Sequence, residues 1–281
     1  MSKHIRTLKL LLRRYKNAKI IRKFDSECDE LYPLDDGDRL EQGFMRDSID
    51  NFLECWGLSE RLQNSYLRRA PEDGKNSYFS WELPDYLWDA LLTSKKLSTA
   101  VKNYLGPHAR LDDLYVKTVS DGLDSASESW HDDNVGYRLK LFMVFDTEGT
   151  PSGTYIVPRN RPNIYNVQLV DEVARALGTK KNENRPSSEH LTYAAGDCLL
   201  FDTNLEHRGD YSTASGIRYC IVAEFIDRRK GNRLKGKAPC GPGQGRKKIP
   251  IPLHVFDKID SCSLIDQNLI TKTETSLEYG Y

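Results

Sequence analysis

Trp130-His131-Asp132-Asp133, followed closely by Tyr137-Arg-Leu-Lys-Leu-Phe-Met-Val-Phe145, is the stretch from which the rest of the chain can be read. Its second part has the apolar and aromatic content of a β-strand. Side chains alternate sides along a strand, so His131 and Asp133 can point into one cavity while Asp132 points away. Two further β runs lie downstream. One is Cys198-Leu-Leu-Phe-Asp202, preceded by the turn signal Ala195-Gly196-Asp197. The other is Ile217-Arg-Tyr-Cys-Ile-Val-Ala-Glu-Phe-Ile226. Upstream, Leu111 to Val119 is a further candidate strand leading into the same region. These runs predict a mainly β core.

Between the two downstream runs, Asn204-Leu205-Glu206-His207 supplies a second imidazole 74 positions after Asp133, and Arg218 follows eleven residues later. Two imidazoles and one carboxylate form the ligand set that holds non-haem Fe(II) on one face and leaves the opposite face open. On its strand Arg218 shares a side with Cys220 and Val222. A guanidinium among apolar neighbours needs an anion to offset its desolvation. It is placed to clamp a co-substrate carboxylate through two parallel hydrogen bonds. Each feature alone has a plainer reading. An isolated H-x-D recurs by chance, Asp133 could cap a turn, and a lone His before a strand is more often structural than ligating. The conjunction of all four residues favours a metal site.

Several blocks resemble the phytanoyl-CoA dioxygenase-like branch of the Fe(II)/2-oxoglutarate-dependent oxygenases. They are Ser129-Trp-His-Asp-Asp133 with the strand Leu139 to Asp146, then Ser152-Gly-Thr-Tyr-Ile-Val-Pro158, then Ala195 to Asp202 through His207-Arg-Gly209 to Arg218. The likeness spans about residues 110 to 227, in family order. It implies a double-stranded β-helix (a cupin-like jelly roll) with flanking helices and an N-terminal helical region. It implies that His131, Asp133 and His207 bind iron, and that Arg218 pairs with the distal carboxylate of 2-oxoglutarate. Lys140 and Phe142, on the strand that lines the co-substrate pocket in such proteins, and Tyr137 just before it, are carried over as site residues. The implied activity hydroxylates an unactivated C–H bond of a small molecule, consuming O2 and releasing succinate and CO2. Two departures touch the pocket rim: Arg159-Asn160 replaces the family's G-S-H, and Gly209 replaces a small hydroxyl residue. Halogenating relatives lack the carboxylate ligand, which Asp133 supplies here. Glu224 stands where nucleic-acid dealkylases carry a second Arg. A cupin-type isomerase or hydrolase would need no Arg218 clamp, and a binding protein with a vestigial site would not need all four residues.

Length and composition set outer bounds. The 281 residues suffice for one substantial core. Lys+Arg and Asp+Glu number 41 each, so no net charge draws the chain to nucleic acid. No apolar run reaches transmembrane length, and no secretory signal opens the chain. Six Cys, at 28, 55, 198, 220, 240 and 262, include no C-x-x-C, which suits reduced thiols and a cytoplasmic setting. Oligomeric state is not legible.

The expected organisation is a basic amphipathic helix over 1–24 and one oxygenase domain over 25–281. Within that domain lie the jelly-roll core (110–227), a basic Gly-rich loop (228–249) and a C-terminal segment (250–281). Residues 3 to 23 hold nine Lys/Arg and no acid, with Ile5, Leu8, Leu12 and Tyr15 at helical spacing. Such a helix suits an anionic membrane surface or a partner. The simpler expectation is that its apolar side packs on the barrel. Seven acids fall between Asp25 and Asp38; Asp36 and Asp38 read as a solvated loop rather than a calcium loop. Residues 44–70 and 85–105 read as helical, the first through Phe44, Ile49, Phe52, Leu53 and Trp56. The second does so through Leu87, Trp88, Leu91, Leu92 and Leu97. Residues 120–129 and 180–189 read as loops, and 167–177 as an inserted helix that could belong to a substrate lid. Residues 228–249 hold nine Lys/Arg, five Gly and no acid. They read first as a solvated connector, then as a grip for an anionic substrate. Residues 250–260 should pack back on the domain, with His254 at the surface.

Overall fold

The computed structural model describes residues 8, 12, 15–16, 18–27, 40, 42–68, 77–79, 83–120, 130–133, 135–158, 185, 187–210, 215–234, 249–259, 264–272 and 277–279. Strand β4 (Leu139–Glu148) lies between β7 (Asp197–Asp202) and β9 (Ile217–Asp227), antiparallel to both. On β9's other side runs β3 (Ala109–Ser120), then the short β2 (Ser77–Phe79); β1 (Phe44–Ser48) covers β7. The resulting six-stranded sheet has the order β1-β7-β4-β9-β3-β2. Facing it is a second antiparallel sheet of β5 (Gly153–Ile156), β6 (Glu189–Leu191) and β8 (His207–Asp210), in the order β6-β5-β8. His131 extends this sheet through reciprocal backbone hydrogen bonds with His207, 2.9 Å each way. The architecture is the expected jelly roll.

Alternation explains how one large sheet serves two environments. From β4, Leu139, Leu141, Met143 and Phe145 join the main core with Tyr219, Ile221, Ala223 and Phe225 of β9. The helices cover that face: α2 (Ile49–Phe52), α3 (Leu58–Gln63), α4 (Asp85–Thr93) and α5 (Lys95–Leu105) bury Phe52, Leu62, Trp88 and Val101 against it. The intervening positions, Phe142, Val144, Cys220 and Val222, point between the sheets and meet Ile156, Leu191, Tyr193, Leu199, Phe201 and Leu205. The C-terminal segment packs back as expected. Ile251, Val255 and Leu277 enter the main core, a small sheet pairs Ile249–Ile251 with Leu277–Tyr279, and His254 stays exposed. A buried pair, Arg110 Nη1 to Asp266 Oδ2 at 2.7 Å, fixes this segment to β3.

Several sequence expectations need correction. Phe44–Ser48 is not helical but an edge strand. Pairing with β7 satisfies that strand's outer edge, and Phe44 packs on the interior cluster. Helix begins at Ile49, where the Ser48 side chain accepts from Asn51 N–H at 3.2 Å. Trp56 belongs to no core and is 87% exposed. Over 85–105 the helix is two, broken at Ser94, whose hydroxyl caps the second by accepting from Leu97 N–H at 3.0 Å. The basic tract at 228 does not open as a solvated connector. Arg228–Leu234 is a helix, α6, and Lys230 is 2% exposed.

Helix also spans 18–27, here α1, and includes residues 8, 12, 15 and 16. Ile21 packs on Val135 and Ile226, and Phe24 is buried, whereas Leu8, Leu12 and Tyr15 are more than half exposed. The stripe read as barrel-facing therefore faces outward. The expected lid helix at 167–177, most of both expected loops, Asp36, Asp38 and residues 235–248 lie outside the described residues.

Candidate metal centre and anion pocket

Three segments converge to build the centre. His131 and His207 face each other across their paired strands, ring centroids 4.3 Å apart. Asp133 is carried by the turn that follows; its N–H donates to Thr203 O at 3.0 Å. That turn, Asp202 to Asn204, is itself held: Asp202 Oδ2 accepts from Tyr104 OH at 2.6 Å and Thr203 N–H donates to Arg138 O at 2.8 Å. One ligand atom from each of His131, Asp133 and His207 lies within 4.8 Å of the others, the one such cluster of three among the described residues. His207 Nδ1 lies 2.9 Å from Leu205 O. As a donor there, it fixes the tautomer and leaves Nε2 for a metal. Burial, with His131 close by, pushes His207 down to about 3, so the ring stays neutral. Burial would raise Asp133, but Lys140, His207, Arg138 and His131 overcome it and hold the carboxyl well below its ordinary range. The donor set is therefore two imidazoles, that of His207 neutral, and one ionised carboxylate, which fits a divalent iron with open positions.

Lys140 Nζ donates to Asp133 Oδ2 at 2.8 Å, while Oδ1 is the oxygen turned to His207 Nε2, 3.9 Å away. Lys140 belongs to a buried charge cluster between the sheets. It lies 3.4 Å from Glu224, which also pairs with Arg138 and accepts from Tyr115 OH at 3.1 Å. Arg138 in turn stands 3.7 Å from Asp112 and 3.9 Å from Asp133. Lone buried charges would be prohibitive; a cluster of both signs is tolerable.

Six residues along β9 from Glu224, and on the same side, Arg218 is 3% exposed. Its Nη1 donates to Ser152 O at 2.9 Å, and its guanidinium lies 4.5 Å from the Tyr193 ring centroid and 5.8 Å from that of Phe142. No carboxylate pairs with it among the described residues, and its Nε is buried without an acceptor. Two hydroxyls are close: Ser152 Oγ is buried with no partner, and Thr154 Oγ1 accepts from Tyr193 OH at 2.9 Å. Gly209, at the place of the missing hydroxyl residue, pairs across β5–β8 with Thr154.

The structure thus gathers His131, Asp133, His207, Lys140, Phe142 and Arg218 on one interior. Tyr137 is not among them. It precedes β4 with the parity of Leu139, and its ring packs edge-on against Tyr104 at 6.1 Å on the helix side. Arg138, Asp112, Tyr193 and Ser152 were missed in the sequence. Arg138 could have been found, since it shares the parity of Lys140 and Phe142.

Solved structures with a similar fold include HygX from Streptomyces hygroscopicus with nickel and 2-oxoglutarate bound. Its TM-score is 0.45 and identity 14%, over 66% of this chain and 84% of that one. Another is the non-heme alpha ketoglutarate dependent epimerase SnoN from nogalamycin biosynthesis, at TM-score 0.41 and 15% identity over 74% and 93%. EctD from S. alaskensis with bound Fe gives TM-score 0.45 and 14% identity over 73% and 78%. No family model and no curated protein matches the chain in sequence.

Proposed function

We propose that the chain is an Fe(II)/2-oxoglutarate-dependent oxygenase that hydroxylates a small, anionic molecule. The observation that carries the reading is the pairing of a three-ligand cluster with a buried guanidinium that has no carboxylate partner among the described residues, both inside one barrel. His131, Asp133 and His207 would hold the iron; Arg218 would take the distal carboxylate of the co-substrate. When bound, iron and 2-oxoglutarate supply the oxidising chemistry with O2, yielding succinate, CO2 and an oxidised C–H position.

The chain's own contribution is placement and shielding. Leu205 O orients the His207 ring, and Lys140 engages one Asp133 oxygen so that the other faces the metal side. Phe142, Val144, Ile156, Phe201 and Val222 wall the interior with apolar surface and exclude bulk water from it. The Tyr193 face and Ser152 O hold the guanidinium in one orientation before any anion arrives. A single domain over 25–281, fronted by the basic helix, accommodates this reading. Cytoplasmic reducing conditions suit Cys55, Cys198 and Cys220, which are free thiols. No described helix is long and apolar enough to cross a membrane.

The test is anaerobic addition of Fe(II) and 2-oxoglutarate to the metal-free protein, watched for a weak visible charge-transfer band. The band should appear, and vanish in Asp133→Ala. Metal binding without the band would favour a cupin-type isomerase or hydrolase on the same three ligands.

A further inference from the structure

The two basic tracts, far apart in sequence, meet in space. Asp25 of α1 and Lys230 of α6, 205 positions apart, form a buried ion pair at 2.8 Å. Lys230 Nζ also donates to Tyr137 O at 2.5 Å, and Tyr137 N–H donates to Asp25 Oδ2 at 3.2 Å. Gly136 permits this approach: its φ is +72°, and a Cβ there would lie 2.2 Å from Asp25 Oδ2. Around the clasp the cations turn outward. Lys19, Arg22, Lys23, Arg228 and Arg233 are all exposed. Among the described residues Glu27 lies 3.6 Å from both Lys23 and Arg233, and such exposed pairs cancel little of the field.

The outward side of α1 also carries apolar side chains. Leu8, Leu12, Tyr15 and Ile20 are four of the seven large hydrophobic residues exposed among the described ones. Leu8, Leu12 and Tyr15, spaced i, i+4, i+7, fall on one helical side, continued by Lys19 and Arg22; Ile21 and Phe24 fall on the opposite side and are buried. Leucines flanked by cations gain nothing from a nucleic-acid backbone, and with Tyr15 the lone aromatic of the 3–23 tract, bases have little to stack on. They match an interface that offers both negative headgroups and acyl chains.

We propose that the outward side of α1 is a docking surface for an anionic phospholipid membrane. The chain lies on the bilayer rather than through it. The opposite, buried side of α1 packs on the Val135–Tyr137 turn that follows metal ligand Asp133, through Ile21 and Asp25. The inference is independent of the catalytic reading.

The experiment is co-sedimentation of the full chain with vesicles of phosphatidylcholine alone or with about one-third phosphatidylglycerol, at low and high salt. Binding should be at least roughly tenfold stronger to the anionic vesicles and should fall at high salt. Lys19→Glu with Arg22→Glu should reduce it by more than about tenfold, and Leu8→Glu with Leu12→Glu should also weaken it. These positions are exposed, so the variants should elute and unfold as the parent does. Equal binding to neutral vesicles, unchanged binding by both variants, or no sedimentation at all would overturn the proposal. So would a dimer that the leucine variants split while vesicles bind neither form, since a second copy would then cover the face.

Discussion

Replacing Arg218 by Met tests the anion pocket in two opposite directions at once. The guanidinium is 3% exposed, spends one N–H on Ser152 O, and has a buried Nε with no acceptor. Without co-substrate it is a desolvated cation, and Met of similar length removes that cost. Metal-free Arg218→Met should be as stable as the parent or more stable by about 1–3 kcal/mol. With co-substrate the balance reverses. Losing a charge-assisted contact costs about 1.5–3 kcal/mol, or roughly 10- to 150-fold in affinity. At a 2-oxoglutarate concentration about 100-fold above the parent's Kd, binding stabilises the metal-loaded parent by about 2.7 kcal/mol. At about 2–4 °C per kcal/mol, that is roughly 5–10 °C in Tm. For a 100-fold weaker variant the same addition yields about 0.4 kcal/mol, roughly 1 °C. Thermal unfolding of both proteins, with and without 2-oxoglutarate, measures all four states. A full-sized shift in Arg218→Met, or a metal-free variant several kcal/mol less stable than the parent, would refute the assignment of Arg218 as an anion receptor.

Glu224→Ala leaves Arg138 and Lys140 short of their shared counter-charge inside the barrel, and urea unfolding should show a loss of about 3–5 kcal/mol. Asp133→Ala should abolish turnover and metal loading while near-ultraviolet dichroism stays native. Asp266 links stability to acid. Burial raises its carboxyl, but Arg110 and Asn268 outweigh that and hold it below 3.8. Its stabilisation is therefore complete above that value and fades as pH falls through it. Between pH 7 and pH 3 the urea midpoint of Asp266→Asn should drop less than the parent's; an equal drop would clear Asp266 of the role.

Alternation made the core strands legible, and with them the shared face of Arg218, Cys220 and Val222; His131 and Asp133 do converge, but through the turn that carries Asp133 rather than through one strand. It could have excluded Tyr137 too, because the inward positions leading into β4 are the even ones, 138, 140 and 142. The charge cluster was hidden for a physical reason. Nothing in the sequence marks Asp112, Arg138 and Glu224 as buried, because only the strand pairing brings their opposite charges together, and that pairing is long-range. Phe44–Ser48 was misread because five residues of mixed polarity suit a helix start as well as an edge strand, and only β7 decides between them. Lys230 was misread because nothing near it in sequence announces Asp25.

The clasp of Asp25, Tyr137 and Lys230 has a practical consequence for anyone shortening the chain. Trimming the first 27 residues as a dispensable basic arm would strand the Lys230 ammonium in a dry site and unpin the backbone four positions beyond Asp133. Ending the chain at 227, where the last long strand stops, would take away the ammonium that pairs with the buried Asp25 carboxylate. The minimal folding unit is therefore wider at both ends than the strands of the two facing sheets alone would suggest. A trimmed protein that loses its metal would be reporting on its edges, not on its ligands.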